Sequence, residues 1–143
     1  MRCRSRVPLT AGTYYASRRT KPPQLIFCEP RDYEDFRAFL MRVLERTGTR
    51  LLGYCCMPDS IHLALAVGQT PLGEIMRRLT GYCTRRINQR TGAKGHYADS
   101  FPVMLEAPEI DLPKLLRYIH YIPVTSGVAE SPEIYPYSSG HRP

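Results

Sequence analysis

The alternation in IHLALAV, residues 61–67, constrains the fold more than any other feature of the sequence. Successive side chains of a strand point to opposite faces, so Ile61 and Leu63 lie on one face and His62 lies on the other. RLLGYCC precedes this segment, and the four residues Met57 to Ser60 between the two runs contain a Pro-Asp pair that favours a turn. Two antiparallel strands are therefore predicted. Because the same-face neighbours of His62 are alanines, a helix could cover it or a ligand could reach it.

Three segments carry apolar residues at the spacing of an amphipathic helix, and each apolar stripe requires a surface to cover it. The first, PRDYEDFRAFLMRVLERTG, stops at Gly48 and has a stripe of Tyr33, Phe36, Phe39, Leu40, Val43 and Leu44. The second runs from Pro71 to Gly92, with a stripe of Leu72, Met76, Leu79, Cys83 and Ile87. The third, EIDLPKLLRYIHYI, is ended by Pro123 and has Tyr118 on the flank of a stripe of Leu112, Leu115, Leu116 and Ile119.

Three shorter runs complete the predicted elements. GTYYASRRT is predicted to form a strand followed by a basic turn, and QLIFCE and SFPVMLE two further extended runs. A hairpin combined with amphipathic helices argues for an α+β sandwich, with helices packed on a sheet. At 143 residues the chain fits one domain. We assign this domain to residues 1–130, and we expect the Pro- and Ser-rich residues 131–143 to form a C-terminal loop or tail.

The positive charge of the chain is concentrated in the second helix. The formal net charge is +7, and no Asp or Glu occurs between Glu74 and Asp99. Solvated helix faces usually mix charge signs, so this window indicates contact with the phosphates of nucleic acid. On a helical wheel, Arg78, Arg85 and Gln89 lie together opposite the apolar stripe. The candidate DNA-binding residues are Arg18, Arg19, Arg78, Arg85, Arg86, Gln89, Arg90 and Lys94.

The cysteines and the hydropathy predict a cytoplasmic location. The five cysteines form neither a CxxC pair nor a zinc-ligand spacing, and Cys55 and Cys56 lie in an apolar strand as small hydrophobic residues. No apolar run approaches the ~18 residues that span a bilayer, and the N-terminus lacks a hydrophobic signal core. We therefore expect reduced thiols and no membrane partner.

Four ordered motifs resemble those of one known family. They are GTYYASRRT, YCCMPDSIHLAL, MRRLTGYCTRRINQRTGAKGH, and LLRYIHYIPVTSGV followed by YPYSS. On these motifs the chain resembles the single-tyrosine HUH transposases, and among them the REP-associated tyrosine transposases of bacteria. The resemblance implies a ferredoxin-like antiparallel sheet with two or three helices packed on it. It also implies binding to DNA hairpins and cleavage of adjacent single strands by a tyrosine nucleophile.

The same resemblance implies Mg²⁺ or Mn²⁺, held by two histidines on one strand face and by an asparagine or glutamine on the tyrosine helix. In this chain Tyr118 is the candidate nucleophile, but Ser60 replaces the first histidine and Ile122 stands at the amide position. His62 is then the remnant of the metal site, with Asp59 and Ser60 as weak replacement ligands. A lone imidazole holds such ions weakly, so we expect no tightly bound metal.

Three functions are compatible with the sequence. The first is a nucleoid-associated DNA-binding protein, derived from a REP-associated transposase, in which cleavage is impaired. The second is an active transposase and single-strand endonuclease that forms a 5′-phosphotyrosine through Tyr118. The third is a protein-interaction module on the same fold. DNA hairpins or single-stranded DNA are the partners expected for the first two functions. The protein itself is expected to be either a monomer or a homodimer.

Overall fold

A computed structural model of the chain describes residues 12–92, 103–106 and 111–143, the second of these ranges by its backbone. Four strands form one sheet in the order β2-β3-β1-β4, and neighbouring strands are antiparallel. Their bounds are β1 Gly12–Arg19, β2 Arg50–Met57, β3 Ser60–Val67 and β4 Val103–Glu106. Helix α1, Pro30–Thr47, connects β1 to β2, and helix α2, Leu72–Thr91, connects β3 to β4. This βαββαβ order is ferredoxin-like, which confirms the predicted fold class.

The predicted hairpin is β2 and β3, joined by a turn at Pro58 and Asp59. Its register places Met57 opposite Ser60 and Cys55 opposite His62. Ile61, Leu63 and the other large residues of β3 face α1 and α2 in the larger apolar cluster. His62 and Ala64 lie on the opposite face, as the alternation predicted.

Helices α1 and α2 form with the predicted stripes and stops. The Asp32 carboxylate accepts the backbone N–H of Glu29 at 3.1 Å, which satisfies a free donor at the start of α1. Gly48 ends this helix with φ +66° and Gly92 ends α2 with φ +76°, a backbone conformation that favours glycine. The buried residues of the two helices are Phe36, Leu40, Val43, Leu44 and Thr47 in α1, and Leu72, Ile75, Met76, Leu79, Cys83 and Ile87 in α2.

Helix α3, Leu112–His120, packs on the other face of the sheet, where Leu115 and Ile119 are buried. Gly53 of β2 allows this close approach, because a Cβ at that position would lie 2.5 Å from Cδ2 of Leu116. The prediction that Leu112 belongs to the buried stripe is wrong. It is the first residue of the helix, it is 37% exposed, and the buried contacts begin with Leu115.

Pro123 does not end α3, which stops at His120. A short helix α4, Ile122–Thr125, follows directly and holds Pro123 in its first turn. A proline is tolerated there because a first-turn residue has no intrahelical N–H bond to lose. Ile122 and Pro123 are both buried.

Two other expectations for the first 30 residues are also wrong. QLIFCE forms no strand, because the N–H groups of Ile26 and Phe27 both donate to the single carbonyl oxygen of Pro58, at 2.8 and 3.1 Å. In a ladder, consecutive residues of one strand do not share an acceptor in this way. Arg18 and Arg19 do not form a turn but are the last two residues of β1. They therefore point to opposite faces of the sheet.

Residues 135–139 run along β2, which is an edge strand of the sheet. The N–H of Cys56 donates to the Tyr137 carbonyl and that of Ser139 to the Tyr54 carbonyl, both at 2.9 Å. The Tyr135 hydroxyl donates to the Cys56 carbonyl at 2.6 Å. These bonds occupy backbone groups that an exposed edge would leave open to another chain.

Candidate functional site

The candidate metal position lies on the face of the sheet that α3 covers. His62 is 6% exposed and both of its ring nitrogens have a hydroxyl partner. Nδ1 lies 2.9 Å from the Tyr15 hydroxyl, and Nε2 lies 2.9 Å from the Ser60 hydroxyl. Strand β1 supplies Tyr15 because it neighbours β3 in the sheet, and β3 supplies Ser60 because residues two apart share a strand face.

A neutral imidazole has one N–H donor and one acceptor nitrogen, and a hydroxyl can fill either role. One of the two hydroxyls therefore accepts the ring N–H of His62, and the other donates to the remaining nitrogen. Burial and, to a smaller extent, the positive charge of Arg19 together lower the pKa of His62 to about 4. The ring is neutral at pH 7, and its hydrogen-bonding capacity is used within the protein.

The two weak replacement ligands also have partners. Ser60 is buried and its hydroxyl is the one that bonds to His62. The Asp59 carboxylate accepts a hydrogen bond from Arg19 at 3.0 Å, in an ion pair exposed to solvent. Ile122, at the expected position of the amide ligand, is buried in the apolar cluster beneath α3 with Leu115.

Tyr118 lies at the edge of this group. Its side chain is 58% exposed, and its ring meets the Tyr15 ring edge to face, with centroids 5.8 Å apart at 84°. The Tyr15 ring in turn lies nearly parallel to the imidazole of His62, with centroids 6.3 Å apart. Burial raises the pKa of the Tyr15 hydroxyl, and the nearby Tyr118 raises it further. His120, two residues beyond Tyr118, points elsewhere and bonds to the Ser139 hydroxyl at 2.8 Å.

Sequence reasoning missed Tyr15, the residue that connects His62 to Tyr118. A signal for it existed in the alternation of GTYYAS, which puts Tyr15 on the same face of its strand as Ser17 and Arg19. That signal needed one further fact, which is that β1 pairs with β3. The ferredoxin-like strand order supplies this pairing.

The predicted DNA-binding residues do not form one surface. Arg85, Gln89 and Arg90 are exposed on α2, and Arg90 donates to the Leu25 carbonyl. Arg78 is also exposed there, and it bonds to Glu74 at 2.8 Å.

The remaining candidates face other groups or lie elsewhere. Arg86 is half-buried and bridges to α1, where its guanidinium lies 3.1 Å from Asp35 and 3.5 Å from Asp32. Arg18 shares the α1 and α2 face with Ile61, its partner in the sheet, whereas Arg19 is paired with Ser60 and lies on the face of His62, whose pKa its charge lowers. Lys94 lies outside the described residues.

The sequence model of the family described as "Transposase IS200 like" matches residues 19–121. The chain belongs to this family. The matched range includes Ser60 and His62 of β3 and Tyr118 of α3, whereas Tyr15 and Ile122 lie just outside it. No protein of curated function matches the sequence.

Two solved structures resemble that of this IS200-like chain. One is a REP-associated tyrosine transposase bound to a REP hairpin, with a TM-score of 0.76 at 15% identity over 97% of this chain and 82% of that chain. The other is a protein from Deinococcus radiodurans R1 assigned as a transposase, with a TM-score of 0.54 at 19% identity over 82% of this chain and 95% of that one. At these identities the likeness shows the fold.

IS200-like transposases are in general metal-dependent, and the side chains of this member do not fit that requirement. A metal-bound imidazole must offer the lone pair of its unprotonated nitrogen, and in His62 this lone pair accepts a hydrogen bond from a hydroxyl. Within the described part of the chain, no group of three His, Cys, Asp or Glu residues is close enough to share an ion. None of the described helices is long and apolar enough to cross a membrane.

Proposed function

We propose that this IS200-like chain binds hairpin or single-stranded DNA of the REP type in the cytoplasm, and that its strand-cleaving activity is absent or weak. The observation that carries the second half is the pair of 2.9 Å bonds that join His62 to the hydroxyls of Tyr15 and Ser60. These bonds occupy both nitrogens of the imidazole, so neither nitrogen is free to bind a metal ion.

The positive charge of the chain favours DNA binding. A net charge of +7 attracts polyanions. Arg85 and Gln89 are exposed on the side of α2 that faces away from its buried stripe. A relative of the same fold was solved with a REP hairpin bound. These observations together favour nucleic acid over other polyanions as the partner.

The environment of the nucleophile disfavours efficient cleavage. A phenol has an ordinary pKa near 10, so Tyr118 needs help to attack a phosphodiester at pH 7. In this family a metal supplies electrostatic stabilisation of the developing negative charge. The donor set around His62 lacks both the second histidine and the amide, and the nearby cation Arg19 is paired with Asp59. Little remains to stabilise the charge of a transition state.

One observation favours the second candidate, an active Tyr118 nuclease. Tyr118 is exposed and contacts the Tyr15 ring, so its hydroxyl is open to a substrate and stays near the Tyr15, His62 and Ser60 group. The third candidate, a protein-interaction module, has no observation that favours it over DNA binding.

A single gel experiment separates these candidates. The protein is mixed with a hairpin oligonucleotide that carries a single-stranded flank, in low salt with Mn²⁺, and run on native and denaturing gels. We expect a mobility shift on the native gel and no protein-linked DNA on the denaturing gel. A covalent adduct that disappears in Tyr118→Phe would establish the active nuclease, and no shift at low salt would favour the protein-interaction module.

A further inference from the structure

The outer side of α3 carries a surface to which no ligand has been assigned above. Lys114, Arg117, Tyr118 and Tyr121 line a shallow groove of about 420 Å³. Their spacing of three, four and seven residues from Lys114 places them on one side of the helical path. The buried residues Leu115 and Ile119 hold the other side of α3 against the sheet. The groove is therefore a fixed surface.

Two features of this surface are unusual together. The Tyr118 and Tyr121 side chains are 58% and 45% exposed, although large aromatic rings are normally more buried. Lys114 and Arg117 are exposed beside them, and no carboxylate lines the groove among the described residues. Exposed rings next to cations are typical of surfaces that bind unpaired nucleotides, because the rings stack on bases and the cations contact phosphates.

The groove continues into a second one. Arg117 and Tyr121 also line a larger groove of about 770 Å³ between α3 and the C-terminal residues, with His141 and Arg142 on its far side. Glu133 is the acidic residue among the described residues that line the two grooves. A DNA strand of more than one nucleotide can therefore extend from Tyr118 past Tyr121 and remain beside positively charged side chains.

We propose that this aromatic and basic groove on α3 binds a single-stranded DNA segment by stacking a base on Tyr121. The inference rests on the proposed function, and it names the path of the single strand that flanks a hairpin. An acidic peptide would satisfy Lys114 and Arg117 but would offer no flat surface to the rings. In duplex DNA the faces of the bases are already stacked on each other, so an unpaired segment fits both halves of the surface.

The groove lies directly beside Tyr118, the candidate nucleophile. The Tyr118 ring lines the groove on one side and contacts Tyr15 on the other. A strand held on Tyr121 therefore passes next to the Tyr118 hydroxyl. Tyr121 acts as a positioning residue for the strand, and this role does not depend on whether Tyr118 cleaves it.

The test compares three fluorescent hairpins by anisotropy at low salt: one without a flank, one with a short oligothymidine flank, and one with an abasic flank of equal length. We expect the wild-type protein to bind the thymidine-flanked hairpin more tightly than the other two. Tyr121→Ala should weaken that complex by about 5- to 150-fold, which is the contribution of one stacked base. It should leave affinity for the hairpin without a flank unchanged, and Tyr121→Phe should retain wild-type affinity.

Met41→Ala is the matched control, because Met41 is 44% exposed on α1 and lines neither groove. We expect this variant to bind all three hairpins as the wild type does. The stacking role is overturned if the abasic flank binds as tightly as the thymidine flank, if the flank adds nothing to wild-type affinity, or if Tyr121→Ala binds like the wild type. A wild-type protein that binds no hairpin at all contradicts the proposed function itself.

Discussion

At the scale of single residues, Ser60 determines what His62 can do. The two residues share a strand face, and the short hydroxyl side chain reaches Nε2 at 2.9 Å. Tyr15 from the neighbouring strand takes the other nitrogen. The result is a buried imidazole with both hydrogen-bonding sites filled, which stabilises the core and needs no ion.

Two substitutions should give the group around His62 an affinity for a divalent metal. Ser60→His with Ile122→Asn adds an imidazole beside His62 and an amide at the position that the family resemblance assigns to a ligand, and it removes the hydroxyl that now bonds to Nε2. We expect the affinity for Mn²⁺, measured by isothermal titration calorimetry, to rise by at least about 10-fold, since additional ligands are the main determinant of divalent affinity. Ser60→Ala, which removes the hydroxyl without adding a ligand, is the control. Equal Mn²⁺ affinity in the double variant and the wild type would show that these positions do not share a site.

The neutral state of His62 should make stability depend on pH. Its pKa is about 4 in the folded protein and 6.5 in an unfolded chain, so below pH 6.5 the unfolded state binds an extra proton and the folded state does not. This contribution is fully present above pH 6.5 and is lost as the pH falls towards 4. The other groups near the ring that carry charge or titrate are Tyr15, Arg19, Cys55, Asp59 and Tyr118.

We expect urea unfolding to show that the wild type loses about 2 kcal/mol more stability than His62→Gln between pH 7.5 and pH 5, at about 1.4 kcal/mol per unit of pKa. Glutamine keeps a polar side chain between the two hydroxyls but does not titrate. Because the carboxylates titrate in both proteins, the difference isolates the imidazole. The same loss of stability in both proteins would mean that His62 is protonated in the folded state near its ordinary pKa.

At the scale of elements, the periodicity of apolar residues was sufficient to predict a helix or strand whose own sequence carries the pattern. The strands around Pro58, the stripes of α1 and α2 and the stops at Gly48 and Gly92 are all as predicted. What failed depended on contacts between elements. QLIFCE has the composition of a strand, but Ile26 and Phe27 bond to the hairpin turn, and Leu112 continues the stripe of α3 but begins the helix before its buried contacts. The Tyr15 contact with His62 required knowledge of the strand order.

Helix α2 carries arginines in two different environments, which allows a direct comparison. Arg78 and Arg85 are exposed, whereas Arg86 bridges to Asp35 at 3.1 Å and lies over the Tyr82 ring. We propose that the first two contact DNA phosphates and that Arg86 mainly joins α2 to α1. Arg78→Ala with Arg85→Ala should weaken hairpin binding and lower the slope of log affinity against log salt by roughly one unit for each lost phosphate contact.

Arg86→Ala is the control for this experiment. We expect it to lower the free energy of unfolding by about 1–2 kcal/mol, because it removes a partly buried bridge and a cation–π contact, and to leave the salt slope near the wild-type value. The double variant should unfold like the wild type. A slope that falls only in Arg86→Ala would move the DNA contact to the junction of α1 and α2.

At the scale of the whole molecule, the sheet separates two candidate DNA surfaces. The exposed arginines of α2 lie on one side, and the groove of Lys114, Arg117, Tyr118 and Tyr121 lies on the other side with α3. Arg18 and Arg19 at the end of β1 point to opposite faces. If α2 holds a hairpin and α3 its flank, the DNA passes around this end of the sheet. The β2 edge of the sheet is covered by residues 135–139, so another chain cannot pair with its backbone there.

The attachment of residues 135–139 should be a major source of stability for the whole molecule. Tyr135 is 6% exposed, packs with Leu115 and Ile119, and donates its hydroxyl to the Cys56 carbonyl at 2.6 Å. Tyr135→Ala should lower the free energy of unfolding in urea by about 3–4 kcal/mol, because it leaves a cavity between α3 and the sheet and an unpaired buried carbonyl. Tyr135→Phe isolates the hydrogen bond and should cost about 1 kcal/mol.

Ile134→Ala tests whether this effect is specific to the buried ring. Ile134 is the neighbouring residue but is 57% exposed, so its truncation should change stability by less than about 0.5 kcal/mol. Hydrogen exchange gives an independent measurement: in Tyr135→Ala the amides of Cys56 and Ser139, which bond across this edge, should exchange faster than in Ile134→Ala. Equal stability and equal exchange in the two variants would mean that residues 135–139 cover β2 without stabilising it, and that the fold depends on its two apolar clusters without this segment.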